Sequence, residues 1–83
     1  MSSLKNKKVI ISAGASGIGW ATTKVCLEKG ATVFICDIDE KHLAKTKKHK
    51  LNNKKLFIYK CDASNENDVK ELFNKINKKT KKN

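Results

Sequence analysis

The most constraining feature of this sequence is a continuous apolar run that leads directly into a glycine-rich turn. Val9, Ile10 and Ile11 are consecutive β-branched residues, and residues 12–19 read Ser-Ala-Gly-Ala-Ser-Gly-Ile-Gly. An uninterrupted apolar run is typical of a central strand in a parallel sheet, because helices cover both faces of such a strand. We therefore predict a strand over Lys8–Ser12 and a tight turn from this strand into a helix.

The remaining chain continues an alternation of strands and helices. The predicted first helix ends at Gly30, because glycine readily adopts the left-handed conformation that closes many helices. Two β-rich segments, residues 32–36 and Leu56–Lys60, predict the second and third strands. The apolar stripe of the first helix is predicted at helical spacing, on Ile18, Ala21, Thr22, Val25 and Cys26.

Two further helices are predicted from capping residues and apolar spacing. The second helix begins after Asp39 and runs toward Lys50, and Asn52 and Asn53 break it. The third helix has Ser64 or Asn65 as its N-cap. The apolar positions are Leu43, Ala44 and Leu51 in the second helix, and Val69, Leu72, Phe73 and Ile76 in the third.

The order βαβαβα predicts the α/β class, as a Rossmann-like half of a doubly wound parallel sheet with strand order 3-2-1. We expect one domain over residues 1–77 and a lysine-rich tail over 78–83, which frays beyond Asn77. In this order the first strand has an open outer edge. Such an edge invites pairing with another chain, so self-association through the first strand is a further expectation.

The glycine-rich turn predicts a binding site for the pyrophosphate of a dinucleotide. Gly17 and Gly19 leave no Cβ where the backbone turns into the helix and approaches the phosphates. The free N–H groups and the positive dipole end of the helix then bind an anion without a basic side chain. The signal is stronger than a glycine-rich loop alone, because this loop follows a strand and opens a helix.

Asp37 ends the second predicted strand, eighteen residues beyond Gly19. This is close to the separation of about 20 residues at which a carboxylate binds the ribose hydroxyls of the dinucleotide. The alternative is a turn residue ahead of Asp39. A carboxylate there repels the 2′-phosphate of NADP, and neither Ser16 nor Ile38 is basic. The sequence therefore favours NAD over NADP.

Residues 12–19, Cys-Asp-Ile-Asp at 36–39 and Cys-Asp-Ala-Ser at 61–64 resemble three cofactor motifs of the classical short-chain dehydrogenases/reductases. The likeness extends from about Leu4 to Ile76. Ser12 stands for the threonine and Ala13 for the first glycine of the family pattern TGxxxGxG. Alanine at a position of positive φ costs on the order of 1 kcal/mol, and we expect Gly14 to relieve this strain.

The resemblance implies that the acid after strand two binds ribose and that the aspartate after strand three binds adenine, assisted by the next backbone N–H. These roles fall on Asp37, Asp62 and Ala63. For Asp62 the alternative is a turn acid ahead of Ser64. The full set expected to bind the cofactor is Ala13, Gly14, Ser16, Gly17, Ile18, Gly19, Asp37, Asp62 and Ala63.

The catalytic residues of that family have no counterpart in this sequence. It contains no NNAG segment and no YxxxK pair, and Tyr59, the single tyrosine, is expected to be structural. Without the tyrosine acid and its lysine, hydride transfer has no proton partner. We therefore expect an NAD-binding fragment of an oxidoreductase that is inactive alone, with a non-catalytic nucleotide-binding module as the alternative.

The formal net charge of +11 arises from lysine alone, because all 19 basic residues are lysines. A lysine-rich polyanion binder is therefore a further alternative. Proteins that recognise a specific nucleic-acid sequence usually bind the bases through arginine or through stacked aromatic rings. This chain has no arginine and few aromatic residues, so a nucleic-acid partner is not expected. No apolar run is long enough to span a membrane and the first residues lack the core of a signal peptide, which predicts a cytoplasmic protein without a membrane partner.

The cysteines and histidines lack the spacing of metal ligands. Cys26, Cys36 and Cys61 are expected to be buried thiols. In a second interpretation, Cys36 and Cys61 end neighbouring strands and form a redox-sensitive pair. His42 and His49 are predicted to be surface residues without a metal. Trp20, directly after the last glycine of the turn, has no predicted role beyond packing.

Overall fold

The computed structural model describes residues 3–50 and 53–80, which form three parallel strands and three helices. The strands are adjacent in the order β1-β2-β3. This arrangement confirms the predicted α/β class, and the order 3-2-1 is the same sheet named from its other edge. The elements are β1 (Lys8–Ser12), α1 (Gly17–Glu28), β2 (Thr32–Asp37), α2 (Glu40–Lys50), β3 (Leu56–Lys60) and α3 (Glu66–Thr80).

Strands β1 and β3 have the predicted bounds, and β2 is one residue longer because it includes Asp37. Asp39 caps α2, since its Oδ1 accepts the N–H of Lys41 at 2.8 Å. Leu51 of the predicted apolar stripe of this helix lies outside the described residues. Asn52 of the predicted helix break also lies outside them.

Helix α3 is capped by Asn65, whose Oδ1 accepts the N–H of Asp68 at 3.1 Å. Ser64, the other predicted cap, binds Asp62 instead. The helix continues to Thr80, beyond the expected fraying point at Asn77, and residues 81–83 lie outside the described part.

Helix α1 ends at Glu28 with Lys29 as its C-cap, and Gly30 follows as the C′ residue, as predicted. Gly30 has a φ of +94°. Its N–H donates to the carbonyl of Leu27, and the N–H of Ala31 donates to the carbonyl of Cys26, each at 3.0 Å. These two bonds form a Schellman motif, which satisfies the last carbonyl groups of the helix and turns the chain into β2.

The sheet lies between two helical layers. Val33 and Ile35 of β2 pack with Leu43 on the face that α1 and α2 cover. Phe34 and Cys36 alternate with them and pack against α3 on the other face. Burial on both faces explains the continuous apolar sequence of β2, the central strand. The interpretation of β1 as a strand covered on both faces is wrong for the described residues, because β1 lies at the edge of the sheet and Ile10 is 43% exposed. From the predicted stripe of α3, Leu72 and Ile76 are buried, Val69 is half-buried and Phe73 is 47% exposed.

The predicted apolar stripe of α1 is wrong. Ile18 is 86% exposed and Val25 is 48% exposed, whereas Thr23 is fully buried. Ala21 and Thr22 are also exposed, and Cys26 is half-buried.

A backbone contact sets the rotation of α1. A Cβ on Gly19 would lie 2.1 Å from the carbonyl oxygen of Ala13, so this side of the helix faces the turn after β1. Residues four and eight positions further, Thr23 and Leu27, share that side and face the sheet. The sequence contains apolar residues on both sides of α1, and the close approach at Gly19 selects one of them.

Within the described ranges, none of the helices combines the length and apolar character needed to cross a bilayer.

Candidate cofactor-binding site

The residues predicted to bind the cofactor meet at the carboxyl edge of the sheet. Ser12 is in register with Cys36, and Cys36 is in register with Tyr59, so all three strands end at the same level. A cavity of about 170 Å³ opens there. It is lined by Ser12, Ala13, Cys36, Asp37, Ile38, Cys61, Asp62, Ala63 and Ser64. In open α/β sheets, ligands bind outside the carboxyl ends of the strands.

Two other cavities are larger. One of about 290 Å³ is bordered by Trp20 and His49, and one of about 400 Å³ by Glu40 and Lys60. Neither contains a residue of the glycine-rich turn. We place the site at the smaller cavity, because the turn, Asp37 and Asp62 converge on it.

The turn after β1 contains two residues in the left-handed region. Ala13 has a φ of +53° and Gly17 a φ of +56°. Ala13 therefore adopts the conformation that the family pattern assigns to glycine. Gly14 does not adopt positive φ and has a different role, because a Cβ on it would lie 2.7 Å from the side chain of Ile35. The expectation that Gly14 relieves the strain is wrong.

The start of α1 offers free N–H groups to an anion. Ser16 is the N-cap in an extended conformation, and its side chain makes no capping hydrogen bond. A Cβ on Gly17 would meet nothing within 4 Å, so the space in front of the helix is open. Uncapped N–H groups together with the positive end of the helix dipole form an anion site.

Asp37 is held by two backbone N–H groups. Its Oδ2 accepts the N–H of Ala15 at 3.3 Å, and its Oδ1 accepts the N–H of Asp39 at 3.0 Å. The residue is only 6% exposed. The hydrogen bond from Asp39 is the contact expected of a turn residue. The alternative role of Asp37 as a turn residue ahead of Asp39 is therefore present in the structure. A carboxylate has about four acceptor positions, which leaves room for ribose hydroxyl groups.

Asp62 closes the other side of the cavity. Its Oδ1 accepts the N–H of Ser64 at 2.9 Å and the hydroxyl of Ser64 at 2.6 Å. These bonds, first from the hydroxyl and then from the backbone, hold the pKa of the carboxyl below its usual value. The N–H of Asp62 donates to Asp68 Oδ2 at 3.1 Å, and Ala63 is exposed. Asp62 is thus a turn acid that also lines the cavity.

His42 is a neighbour of Asp37 that the sequence did not indicate. Its Nδ1 lies 3.9 Å from Asp37 Oδ2 and 3.7 Å from Asp39 Oδ2. The spacing of Asp39 and His42 at i and i+3 is the signal that would have placed them together. His49 instead contacts Trp20, with 4.9 Å between ring centroids. No cluster of three or more metal-ligating side chains occurs among the residues that the structure describes.

The thiols of Cys36 and Cys61 are brought together beneath the cavity. They are 3% and 5% exposed, and Cys61 lies close enough to Cys36 to affect its pKa. Burial, followed by the proximity of Cys61, raises the pKa of Cys36 to about 11. Cys26, in contrast, lies half-buried on α1. The proximity of Cys36 and Cys61 agrees with their interpretation as a redox-sensitive pair.

The chain matches a known protein family over most of its length. The family model described as short chain dehydrogenase matches residues 7–82. The chain belongs to the short-chain dehydrogenase family. Members of this family are oxidoreductases that bind nicotinamide dinucleotides, and the described fold agrees with their three-strand unit.

Individual short-chain dehydrogenases resemble this chain over most of its length. Tropinone reductase-like 1 of Erythroxylum coca is 44% identical over 69 residues, which are 83% of this chain and 25% of that protein. A short-chain oxidoreductase from Pseudomonas aeruginosa, solved with NADPH and described as having an atypical catalytic center, gives a TM-score of 0.87 at 25% identity. The match covers 96% of this chain and 32% of that structure.

A second similar solved structure contains NADH instead of NADPH. The 3-ketoacyl-(acyl-carrier-protein) reductase of Brucella melitensis, complexed with NADH, gives a TM-score of 0.84 at 26% identity. The match covers 93% of this chain and 31% of that structure. The chain thus spans about a quarter to a third of these relatives, and they include both cofactor types.

Proposed function

We propose that this chain binds NAD in preference to NADP and forms the cofactor-binding part of an oxidoreductase. The observation that carries the proposal is the Asp37 carboxylate. It is buried at the end of the central strand, fixed by two backbone N–H groups and adjacent to the uncapped start of α1. A fixed acceptor beside an anion site fits a ribose attached to a pyrophosphate.

The proposed site divides the cofactor among three groups of residues. The N–H groups of Gly17, Ile18 and Gly19, at the start of α1, would hold the pyrophosphate, and Ala13, Gly14 and Ser16 shape the turn around it. Asp37 would accept the ribose hydroxyls. Asp62 and the N–H of Ala63 would bind adenine at the far wall of the cavity. When bound, NAD supplies hydride transfer, and the complete enzyme would use it on an alcohol or carbonyl substrate.

The charges around Asp37 support NAD rather than NADP. Lys60 is in register with Asp37, but its ammonium group lies 3.0 Å from the Glu40 carboxylate. Glu40 therefore competes with a 2′-phosphate for this cation. The Asp37 carboxylate itself repels such a group.

Calorimetric titration with ADP-ribose and with its 2′-phosphate tests the proposal. We expect ADP-ribose to bind more tightly, and Asp37→Asn to narrow the difference because the repelling charge is removed. Asp39→Asn is the matched control: it removes a charge two positions away, and asparagine still caps α2. Equal affinity for both ligands in the unmodified chain would contradict the preference, and binding of neither would contradict the site.

Polyanion binding is the second candidate, and the net charge of +11 favours it. It predicts salt-dependent retention on heparin that ADP-ribose does not reduce. The cytoplasmic location, the lack of a nucleic-acid partner and the domain boundary at residue 77 remain predictions from the sequence.

A further inference from the structure

Cys36 and Cys61 form a buried dithiol at the floor of the proposed cofactor cavity. Both side chains border that cavity and belong to the same apolar cluster as Phe34. Cys61 lies close enough to Cys36 to affect its pKa. Small solutes that enter the cavity therefore come close to both residues of this pair.

The backbone couples this dithiol to the two acids of the site. Cys36 directly precedes Asp37, and Cys61 directly precedes Asp62. The N–H of Cys61 donates to the carbonyl of Asp37 at 3.2 Å, so the two strand ends are joined. A disulfide requires a sulfur separation of about 2.05 Å, much shorter than a thiol hydrogen bond. Its formation would thus draw the ends of β2 and β3 together and displace both acids.

We propose that Cys36 and Cys61 are a redox modification site, oxidised to a disulfide by a small hydroperoxide when the cavity is empty and protected when an adenosine nucleotide fills it. Burial excludes bulky oxidants from both sulfur atoms, so the oxidant must be small enough to enter the cavity. Only the protection step depends on the proposed function.

The reaction proceeds in two balanced steps. The Cys61 sulfur attacks one oxygen of the hydroperoxide, the O–O bond breaks, and water or an alcohol leaves with the thiol proton. The Cys36 sulfur then attacks the resulting sulfenic acid, the S–O bond breaks, and a second water leaves with the Cys36 proton. Two electrons pass from the thiols to the peroxide. The same balance holds with the two cysteines exchanged, because both residues line the cavity.

The test follows the three cysteines separately in the reduced full chain. Hydrogen peroxide is added, remaining thiols are alkylated and the chain is digested with trypsin. Cleavage after lysine places Cys26 in residues 25–29, Cys36 in residues 30–41 and Cys61 in residues 61–70. We expect a cross-link between the last two peptides, with the mass of two hydrogen atoms lost, while Cys26 is alkylated.

Cysteine variants and a denatured sample distinguish a disulfide formed in the folded structure from random pairing of the three cysteines. Cys26→Ser should retain the cross-link, and Cys36→Ala and Cys61→Ala should each abolish it. The unmodified chain in concentrated urea should give all three pairings. A cross-link in the folded chain that includes Cys26 as often as the other two cysteines, or no cross-link at all, would overturn the proposal.

The protection step is tested with ADP-ribose at a concentration that titration shows to be saturating. We expect disulfide formation to slow at least about fivefold because bound ADP-ribose fills the cavity. We also expect the oxidised chain to bind ADP-ribose more weakly, because the disulfide displaces both acids. Bound ADP-ribose without protection would overturn the coupling. If ADP-ribose does not bind, the proposed function fails, while oxidation of the free chain still decides whether the dithiol is a redox pair.

Discussion

The carboxylate of Asp37 accepts a hydrogen bond from the N–H of Ala15 at 3.3 Å, although 22 residues separate the two. This bond ties the glycine-rich turn to the end of β2. Ala15 is buried and absent from the set of site residues predicted from the sequence, since its contribution is a backbone group. The same carboxylate thus organises the proposed site and stabilises the turn.

Asp37→Ala should reduce the free energy of unfolding by about 1–3 kcal/mol, because it leaves the buried N–H of Ala15 without its acceptor. Urea denaturation followed by circular dichroism measures the change. Asp37→Asn keeps an acceptor oxygen and should cost less. An equal loss in both variants would show that the charge, rather than the hydrogen bond, provides the stability.

Gly19→Ala should destabilise the chain more than Gly17→Ala. The new Cβ at residue 19 would lie 2.1 Å from a backbone oxygen, which forces α1 away from β1. We expect a loss of about 3 kcal/mol. At residue 17 the space is open and only the positive φ opposes alanine, which costs about 1 kcal/mol. Thermal or urea unfolding of both variants provides the comparison, and the reverse order would refute the contact.

Ala13→Gly should raise the free energy of unfolding by about 1 kcal/mol, because Ala13 has a φ of +53° and glycine adopts this conformation without strain. Ala21→Gly is the control. Ala21 is exposed within α1, where glycine should lower stability by about 0.5–1 kcal/mol. Losses of similar size in both variants would mean that Ala13 is unstrained.

Stability should fall as the pH rises from about 9 to about 11. Burial raises the pKa of Cys36 from 9.0 to about 11, so in this range the folded chain retains a proton that the unfolded chain releases. The contribution is complete below pH 9.0. Cys36→Ala should therefore flatten the alkaline decline measured by urea unfolding at several pH values.

Tyr59 provides a separate test of the alkaline decline. Burial also raises the pKa of Tyr59, which gives the same sign of pH dependence. Its hydroxyl is buried without a hydrogen-bond partner in the part of the chain that the structure describes. Tyr59→Phe should remove its share of the decline. If Cys36→Ala leaves the decline unchanged and Tyr59→Phe abolishes it, the attribution to Cys36 is wrong.

The outer edge of β1 is unpaired among the described residues, which predicts self-association that increases with salt. Salt screens the repulsion between chains of net charge +11, and strand edges pair readily. Sedimentation velocity at several salt concentrations measures the association. Ile10→Lys on β1 should reduce it, whereas Val25→Lys on the exposed side of α1 should not. A monomer at every salt concentration would disprove this role of the edge.

The strands were predictable from the sequence because local patterns determine them. The run of Val9 to Ile11 and the segment Leu56–Lys60 are β-rich and bounded by turns, and the structure has both strands at the predicted residues. The cap at Asp39 and the end at Gly30 also depend on local chemistry. These features need no knowledge of the tertiary fold.

The face of α1 and the contact of His42 were not predictable in the same way. Apolar residues occur on both sides of α1, and the backbone contact between Gly19 and Ala13 decides which side is buried. His42 reaches Asp37 only because α2 begins immediately beyond the end of β2. The buried face of α1 arises when separate elements dock, so residue patterns within the helix do not reveal it. The i, i+3 spacing of Asp39 and His42, in contrast, is a local signal for the position of His42.

Trp20 is the single tryptophan of the chain, and its ring lies 4.9 Å from that of His49. Because Trp20 belongs to α1 and His49 to α2, the indole fluorescence reports one helix–helix contact without any added dye. The protein therefore carries its own optical probe for the helical layer opposite α3. An emission change that precedes the loss of helical circular dichroism would show this layer opening while its helices remain intact.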